Sequence, residues 1–97
     1  MSRATTPLLI KVRIPTALRD CCGGAAVLTL QAATPRAVLE QFESRHPELY
    51  RSLCDETGSV RRHISVFVNS TRVDRGALDT ELGAADVVSI FPAVSGG

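Results

Sequence analysis

The chain lacks the features that mark membrane, secreted and nucleic-acid-binding proteins. Its 97 residues carry a formal net charge of +1, so there is no basic field to hold nucleic acid or an anionic membrane. No apolar run approaches the ~20 residues that a membrane-spanning helix needs. The apolar stretch before Lys11 is much shorter than the about 7–15 residues of a signal-peptide core. We therefore expect a cytoplasmic protein with no nucleic-acid or membrane partner.

Cysteine is also scarce. The chain has three cysteines, at Cys21, Cys22 and Cys54, and their spacing is irregular. Secreted disulfide scaffolds usually have an even number of cysteines at higher density. A bond between the adjacent Cys21 and Cys22 would be strained, and no Cys or His spacing suggests zinc. His46 and His63 have no acidic or cysteine partner at motif spacing. We expect free structural thiols and no metal site.

The hydrophobic pattern predicts one α+β domain over residues 1–97. Thr34 and Pro35 are typical of a helix start, and Pro47 indicates that this helix ends near His46. Residues 48–62 are expected to form a long connection with one short helical turn, and residues 77–82 another brief helical turn. Alternating apolar residues predict strands at 8–14, 26–30, 64–68, a short strand after a turn at 69–73, and 86–91. This order, with one main helix packed on a mixed sheet, indicates a ubiquitin-like β-grasp.

The C-terminus carries the most informative motif. Pro92 is expected to end the last strand and to project residues 92–97 as an exposed tail that finishes in Gly96 and Gly97. A carboxylate must be adenylated before a nucleophile can displace its oxygen, and a protein carboxylate must enter another enzyme's active site for this step. Glycine has no Cβ and therefore fits a narrow channel. The motif predicts chemistry on the carboxylate of Gly97.

Three segments extend this motif to almost the whole chain. The segments DVVSIFPAVSGG, RRHISVFVN and KVRIPTALR together resemble the MoaD/ThiS family of ubiquitin-like sulfur carriers. The likeness covers about residues 8–97, and the C-terminal segment is its specific part. The long 48–62 segment and IPTALR resemble the carriers of thiocarboxylate-dependent cysteine biosynthesis and of siderophores and other secondary metabolites.

The resemblance implies a mechanism and a set of partners. A ubiquitin-activating-type enzyme uses ATP and magnesium to adenylate Gly97, and a persulfide sulfur displaces AMP to leave a thiocarboxylate. A biosynthetic enzyme accepts the sulfur, and a metalloprotease trims the chain or releases the product. The chain is then a protein cosubstrate that binds no cofactor itself. Its own residues agree, because it contains no G-x-x-x-x-G-K-[ST] phosphate loop.

Strand alternation also predicts an outward-facing patch on the sheet. If Val66, Val68 and Ile90 face the helix, their neighbours face the other way. The expected outward residues are Phe67, Asn69, Ser89, Phe91, Leu9 and Val87. Such a patch beside the tail would be a docking surface, with Pro92, Val94 and Ser95 as further partner contacts. A register shift by one residue would instead place the phenylalanines in the core.

Three other functions remain open at this stage. The first is a ubiquitin-like modifier joined through Gly97 to other proteins; because Lys11 is the only lysine, elaborate self-linked chains are disfavoured but single conjugation is not. The second is the small subunit of molybdopterin synthase. The third is a binding module with an accidental tail.

Overall fold

The computed structural model describes residues 8–74 and 76–92. In chain order the elements are β1 (Leu8–Arg13), a 3-10 helix (Thr16–Cys22), β2 (Val27–Ala32), α1 (Pro35–Arg45), α2 (Pro47–Leu53), β3 (Ile64–Val68), β4 (Thr71–Arg72) and β5 (Val87–Pro92). No helix in these two ranges combines the length and apolar character of a membrane span, and the longest, α1, has 11 residues.

The strands form one five-stranded sheet in the order β2-β1-β5-β3-β4. β5 pairs in parallel with β1, and the other neighbouring strands are antiparallel. The inward side chains of the sheet pack against α1 and α2. The largest fully buried side chains include Ile10, Val12, Phe42, Leu49, Leu53, Val66, Val88 and Ile90. This mixed sheet with helices on one face confirms the ubiquitin-like β-grasp.

The main helix begins where the sequence predicts. The side-chain oxygen of Thr34 accepts a hydrogen bond from the Ala37 amide at 3.1 Å, and Pro35 occupies the first turn. Val38, Leu39 and Phe42 are buried at helical spacing. α1 therefore covers the sheet through one apolar face.

The 48–62 connection is more helical than predicted. Pro47 starts α2 rather than merely ending α1, and α2 runs for seven residues to Leu53. Leu49 and Leu53 stand four apart and both are fully buried, so they form the apolar face of this helix. After α2, an isolated bridge joins Cys54 to Val60 and closes the loop.

The helical turn predicted at 77–82 is shorter than expected, because only one turn forms, in which the Thr80 amide donates to the Ala77 carbonyl at 3.2 Å. Leu78 and Leu82 are buried, but their backbone groups bond to another part of the chain. The Leu78 carbonyl accepts from the Arg36 amide at 2.9 Å, and the Leu82 amide donates to the Ala33 carbonyl at 2.8 Å. These bonds tie the segment to the start of α1 and take the place of bonds within a helix.

Three boundaries also differ from prediction. β1 ends at Arg13, one residue earlier than predicted, and β2 extends to Ala32. Pro92 is the last residue of β5 and pairs with Ile64, so it belongs to the strand rather than to the tail. Proline fits there because a strand end tolerates the missing amide hydrogen.

Asn69 lies in the β3–β4 turn and not on the outward sheet face. Its backbone φ is 55°, a left-handed conformation that asparagine tolerates better than most residues. Its side chain donates to the Asp86 carboxylate at 2.9 Å and accepts from the Val87 amide at 3.1 Å. Asn69 therefore fixes the turn to the start of β5.

The Asp74 side chain supplies the hydrogen-bond acceptor for an amide of β3 that no neighbouring strand in the described chain reaches. Its Oδ1 accepts from the Val66 amide and from Arg72 Nε, both at 2.9 Å, and its side chain is 1% exposed. Burial raises the pKa of Asp74, but the bonds from Arg72 and the Val66 amide outweigh it, and the net pKa lies below the ordinary value. The charged form of Asp74 therefore stabilises the fold.

We expect Asp74→Asn to lower the free energy of unfolding at pH 7 by about 1–3 kcal/mol, because a buried charged acceptor is lost. A carboxyl whose folded pKa is depressed stabilises above its unfolded pKa, near 3.9. The difference between wild type and variant should therefore shrink as pH falls through the folded pKa. Urea unfolding measured at pH 7 and in acid checks this, and a difference that grew in acid would contradict it.

Candidate functional site

The outward face of the sheet has the alternation that the sequence predicts. Val66 and Ile90 are buried against the helices. Phe91, in contrast, is 52% exposed, and Phe67 is half-buried on the same side. A one-residue shift, which would have placed the phenylalanines in the core, is therefore absent from β3 and β5.

Phe67 and Phe91 form an aromatic pair across β3 and β5. Their ring centroids are 5.6 Å apart with an interplanar angle of 80°, an edge-to-face arrangement. Ser89 pairs in register with Phe67 and is only 9% exposed. Val87, two residues before Ser89, is half-buried and diagonal to Phe67. We call Phe67, Val87 and Phe91 the aromatic patch.

Leu9 does not belong to this patch, although it faces outward and is 63% exposed. Lys11 pairs with Val87 in the parallel register. Leu9 therefore lies two residues before that pair, whereas Phe91 lies four residues after it. At about 3.3 Å per residue, Leu9 and Phe91 stand roughly 20 Å apart along the sheet. The prediction that Leu9 joins Phe67 and Phe91 in one patch is wrong.

A groove of about 410 Å³ lies beside Phe91, between the end of β5 and the 3-10 helix. Its walls include Arg13, Thr16, Arg19, Val27 and Ser89. Arg19 is held in place because its Nε donates to the Ile14 carbonyl at 3.0 Å. Sequence reasoning missed these groove residues except Ser89, which it placed on the outward face. The outward position of Arg13 in the β1 alternation was the available signal.

The structure brings the patch to the end of the chain that carries the diglycine. Pro92 is half-buried and is the last residue described. Val94, Ser95, Gly96 and Gly97 lie outside the described residues. Phe91 and Pro92 are therefore the described residues that directly precede the diglycine segment in the chain.

The three cysteines and His46 make their contacts within the fold. Burial is the largest effect on Cys54 and raises its pKa to about 11, and it also raises the pKa of Cys22. The Cys21 sulfur lies 4.0 Å from the Ser52 hydroxyl, and all three thiols are free. The His46 ring packs edge-on to Phe42, with centroids 6.2 Å apart.

His63 is exposed just before β3. Across residues 8–74 and 76–92, no group of three His, Cys, Asp or Glu side chains is arranged to hold a metal ion.

Comparison with known proteins assigns the family. The ThiS family model matches residues 12–97. The chain belongs to the ThiS family. A curated relative, sulfur carrier protein CysO of Mycobacterium tuberculosis (strain H37Rv), is 33% identical over 91 residues, which cover 91% of this chain and 98% of the relative.

Solved structures show the same fold. A chain in the crystal structure of the Amycolatopsis orientalis BexX/CysO complex is 36% identical, with a TM-score of 0.79 over 91% of this chain and 99% of that one. The crystal structure of Mycobacterium tuberculosis CysO is 32% identical, with a TM-score of 0.77 over 88% of this chain and 99% of that one. Small archaeal modifier protein 1 of Methanosarcina acetivorans, 23% identical with a TM-score of 0.79 over 94% of this chain and 98% of that one, shares the fold.

We expect the three thiols to react with iodoacetamide in a fixed order in the folded protein. Cys21 is half-exposed, whereas Cys22 and Cys54 are 8% and 2% exposed and have raised pKa values, and only the thiolate is nucleophilic. Timed alkylation at pH 8 followed by peptide mass spectrometry should show Cys21 modified first and Cys54 last. Rapid labelling of Cys54, with the urea-unfolded chain as the control, would contradict this burial.

Proposed function

We propose that this chain is a sulfur carrier that is activated on the carboxylate of Gly97. The supporting observation is the match to the ThiS family model, which extends through Gly97. The similarity to the sulfur carrier protein CysO over most of both chains points the same way. In this proposal the chain is a protein cosubstrate, and an adenylating enzyme binds ATP and magnesium.

The proposed chemistry consists of two displacements. An oxygen of the Gly97 carboxylate attacks the α-phosphorus of ATP, and pyrophosphate leaves. A sulfur nucleophile such as hydrosulfide then attacks the carbonyl carbon of the acyl adenylate, and AMP leaves with the C–O bonding electrons. The product is a thiocarboxylate on Gly97. Gly96 and Gly97 suit this step because, without a Cβ, they fit a narrow channel in the enzyme.

The aromatic patch is the proposed docking surface for the adenylating enzyme. Phe91 is exposed, yet the edge-to-face contact with Phe67 restricts its ring. A restricted aromatic side chain loses little conformational entropy on binding. Pro92, Val94 and Ser95 follow the patch in sequence, and we propose that they contact the same enzyme. The Amycolatopsis orientalis relative, which is part of a BexX/CysO complex, supports partner docking as the mode of action.

The proposed sulfur acceptor is a biosynthetic enzyme. The named relatives are CysO proteins, which favours synthesis of cysteine or of a sulfur-containing secondary metabolite such as a siderophore. A peptidase, for which we propose a metalloprotease, would release a product that stays attached to the carrier.

We expect deletion of Gly97, or addition of one residue after it, to abolish thiocarboxylate formation without changing the fold. Deletion draws the carboxylate back by up to about 3.3–3.6 Å, and a misplacement of about 1 Å can cost a hundredfold in rate. The assay is intact mass after incubation with the adenylating enzyme, ATP, magnesium and sulfide. Replacement of one oxygen by sulfur is expected in wild type alone.

The melting temperature is the control for this series, and it should be unchanged. A normal thiocarboxylate yield from the deletion variant would contradict activation at Gly97. If the extended variant forms a thiocarboxylate only after proteolysis has removed the added residue, the carrier can be made as a longer precursor that is trimmed to Gly97. Isopeptide-linked ladders in cell extracts, without sulfur on the carrier, would indicate the modifier function instead.

We expect Phe91→Ala to weaken binding of the adenylating enzyme much more than it weakens the fold. Loss of the aromatic pair should cost about 0.5–1.5 kcal/mol of stability, whereas truncation of a central interface aromatic costs about 2 kcal/mol or more of binding. Calorimetric titration and urea unfolding measure the two effects. Phe42→Ala is the matched control, with an expected stability loss of about 3–5 kcal/mol. Normal affinity of Phe91→Ala would exclude the patch from docking.

A further inference from the structure

The outward face of the sheet carries positive charge around the aromatic patch. The five strands of the described chain contain no aspartate or glutamate. Their outward positions include Lys11, Arg13 and Arg72. The carboxylate of Asp86 lies just before β5, where the Gly83 amide and the Asn69 side chain bind it. The face is therefore cationic although the whole chain is almost neutral.

The two arginines, Arg13 and Arg72, lie in one row of paired residues and flank its Ser89 and Phe67 positions. Arg13 pairs with Ser89, Ser89 pairs with Phe67, and Phe67 pairs with Arg72. Residues paired in register point to the same face. Neighbouring strands are about 4.7–4.9 Å apart, so the Cα atoms of Arg13 and Arg72 are roughly 14 Å apart. Phe67 lies between them, with Phe91 packed against it.

The buried carboxylate of Asp74 holds the Arg72 side chain in position. Its Nε donates to Asp74 at 2.9 Å, and the same carboxylate oxygen is bound to the Val66 backbone amide. The Asp74 side chain is 1% exposed, whereas that of Arg72 is 47% exposed. A guanidinium has five donors in a planar fork. The bond through Nε therefore leaves the terminal nitrogens positioned to bind a second carboxylate.

The arrangement around Arg13 in β1 is different. Arg13 is exposed and lines the groove beside Phe91, and Arg19 lines the same groove with its Nε bonded to the Ile14 carbonyl. Two guanidinium groups thus share the groove at one end of the patch, and one fixed guanidinium stands at the other. The Asp74 carboxylate balances the charge of Arg72, so the net positive charge lies at the end with Arg13 and Arg19, whereas Arg72 offers a fixed guanidinium fork for a carboxylate. This arrangement matches a partner with an apolar pocket between separated carboxylates.

We propose that Arg13 and Arg72 select an acidic surface on the adenylating enzyme, with carboxylates on both sides of the pocket that receives Phe91. This inference rests on the proposed function and adds the charge of the partner surface. Rim charges mainly accelerate association and exclude wrong partners. The arginine row thus sets the association rate, whereas Phe91 sets the lifetime of the complex.

The test measures association of the adenylating enzyme from the same organism by stopped-flow fluorescence at several salt concentrations. The variants are Arg13→Glu, Arg72→Gln and the double variant; glutamine avoids a second carboxylate beside Asp74. We expect the double variant to associate at least tenfold more slowly at low salt and to depend less on salt, since steering contributes about 10–10³-fold. Circular dichroism melting checks that each variant is folded.

Arg51→Glu is the matched control, because Arg51 is exposed on α2, on the helical side of the protein. It should associate within about twofold of the wild-type rate, since its charge lies away from the docking face. A double variant that associates like wild type, or an Arg51→Glu variant that loses as much, would overturn the arginine row. Arg72→Gln removes the hydrogen bond to Asp74 and can therefore be unstable. In that case Arg13→Glu, which leaves this bond intact, carries the test alone.

The same reactions separate this inference from the proposed function. Thiocarboxylate formation on the wild-type carrier tests the function and does not involve the variants. If sulfur is gained but the arginine variants associate normally, only the charge selection is wrong. If the enzyme binds wild type and no sulfur is gained, the carrier function itself fails.

Discussion

The parallel pairing of β5 with β1 is the constraint on which the rest of the structure depends. It places the last strand of the chain in the middle of the sheet, between β1 and β3. Val88 and Ile90 of this strand are buried against the helices, and Phe91 projects from the opposite face. One strand therefore contributes to the core, carries the exposed aromatic ring and leads directly into the diglycine segment. The central strand of the sheet thus carries both Phe91 and the last described residue before the diglycine segment.

Sequence patterns predicted the faces of the sheet well, because strand alternation has a period of two and one side must be buried. Val66 and Phe67 were assigned to opposite faces for this reason. The place of Leu9 along the sheet was not predictable in the same way, because it depends on the register between β1 and β5, which are distant in sequence. The pattern in β1 showed that Arg13 faces outward but not that Ser89 is its neighbour.

Helices were less predictable where they are short. Leu49 and Leu53 have helical spacing in the sequence. Because the residues around them are polar, the pattern predicted only one helical turn and not the seven residues of α2. The segment containing Leu78 and Leu82 has helix-like apolar spacing, yet the backbone groups of these two residues bond to Arg36 and Ala33. The support of Arg72 by Asp74 also had no sequence signal, because it joins the edge of β3 to the chain beyond β4.

The positions of these residues indicate which steps belong to the carrier and which to its proposed partner. Cys22 and Cys54 are buried with raised pKa values, and the buried carboxylate of Asp74 is engaged in holding β3 and Arg72. These groups make contacts within the fold. In the proposed function the adenylating enzyme carries out the chemistry, the outward face with its aromatic patch between two arginines supplies recognition, and the reacting group is the carboxylate at the end of the segment that follows Pro92.

Fragmentation mass spectrometry of the C-terminal peptide tests the central claim most directly. The carrier is incubated with the adenylating enzyme, ATP, magnesium and sulfide, and is then digested and sequenced by tandem mass spectrometry. The account predicts that sulfur replaces one oxygen on the fragment that ends in Gly97 and nowhere else. Sulfur found on Cys21, Cys22 or Cys54, with an unchanged carboxylate on Gly97, would contradict it.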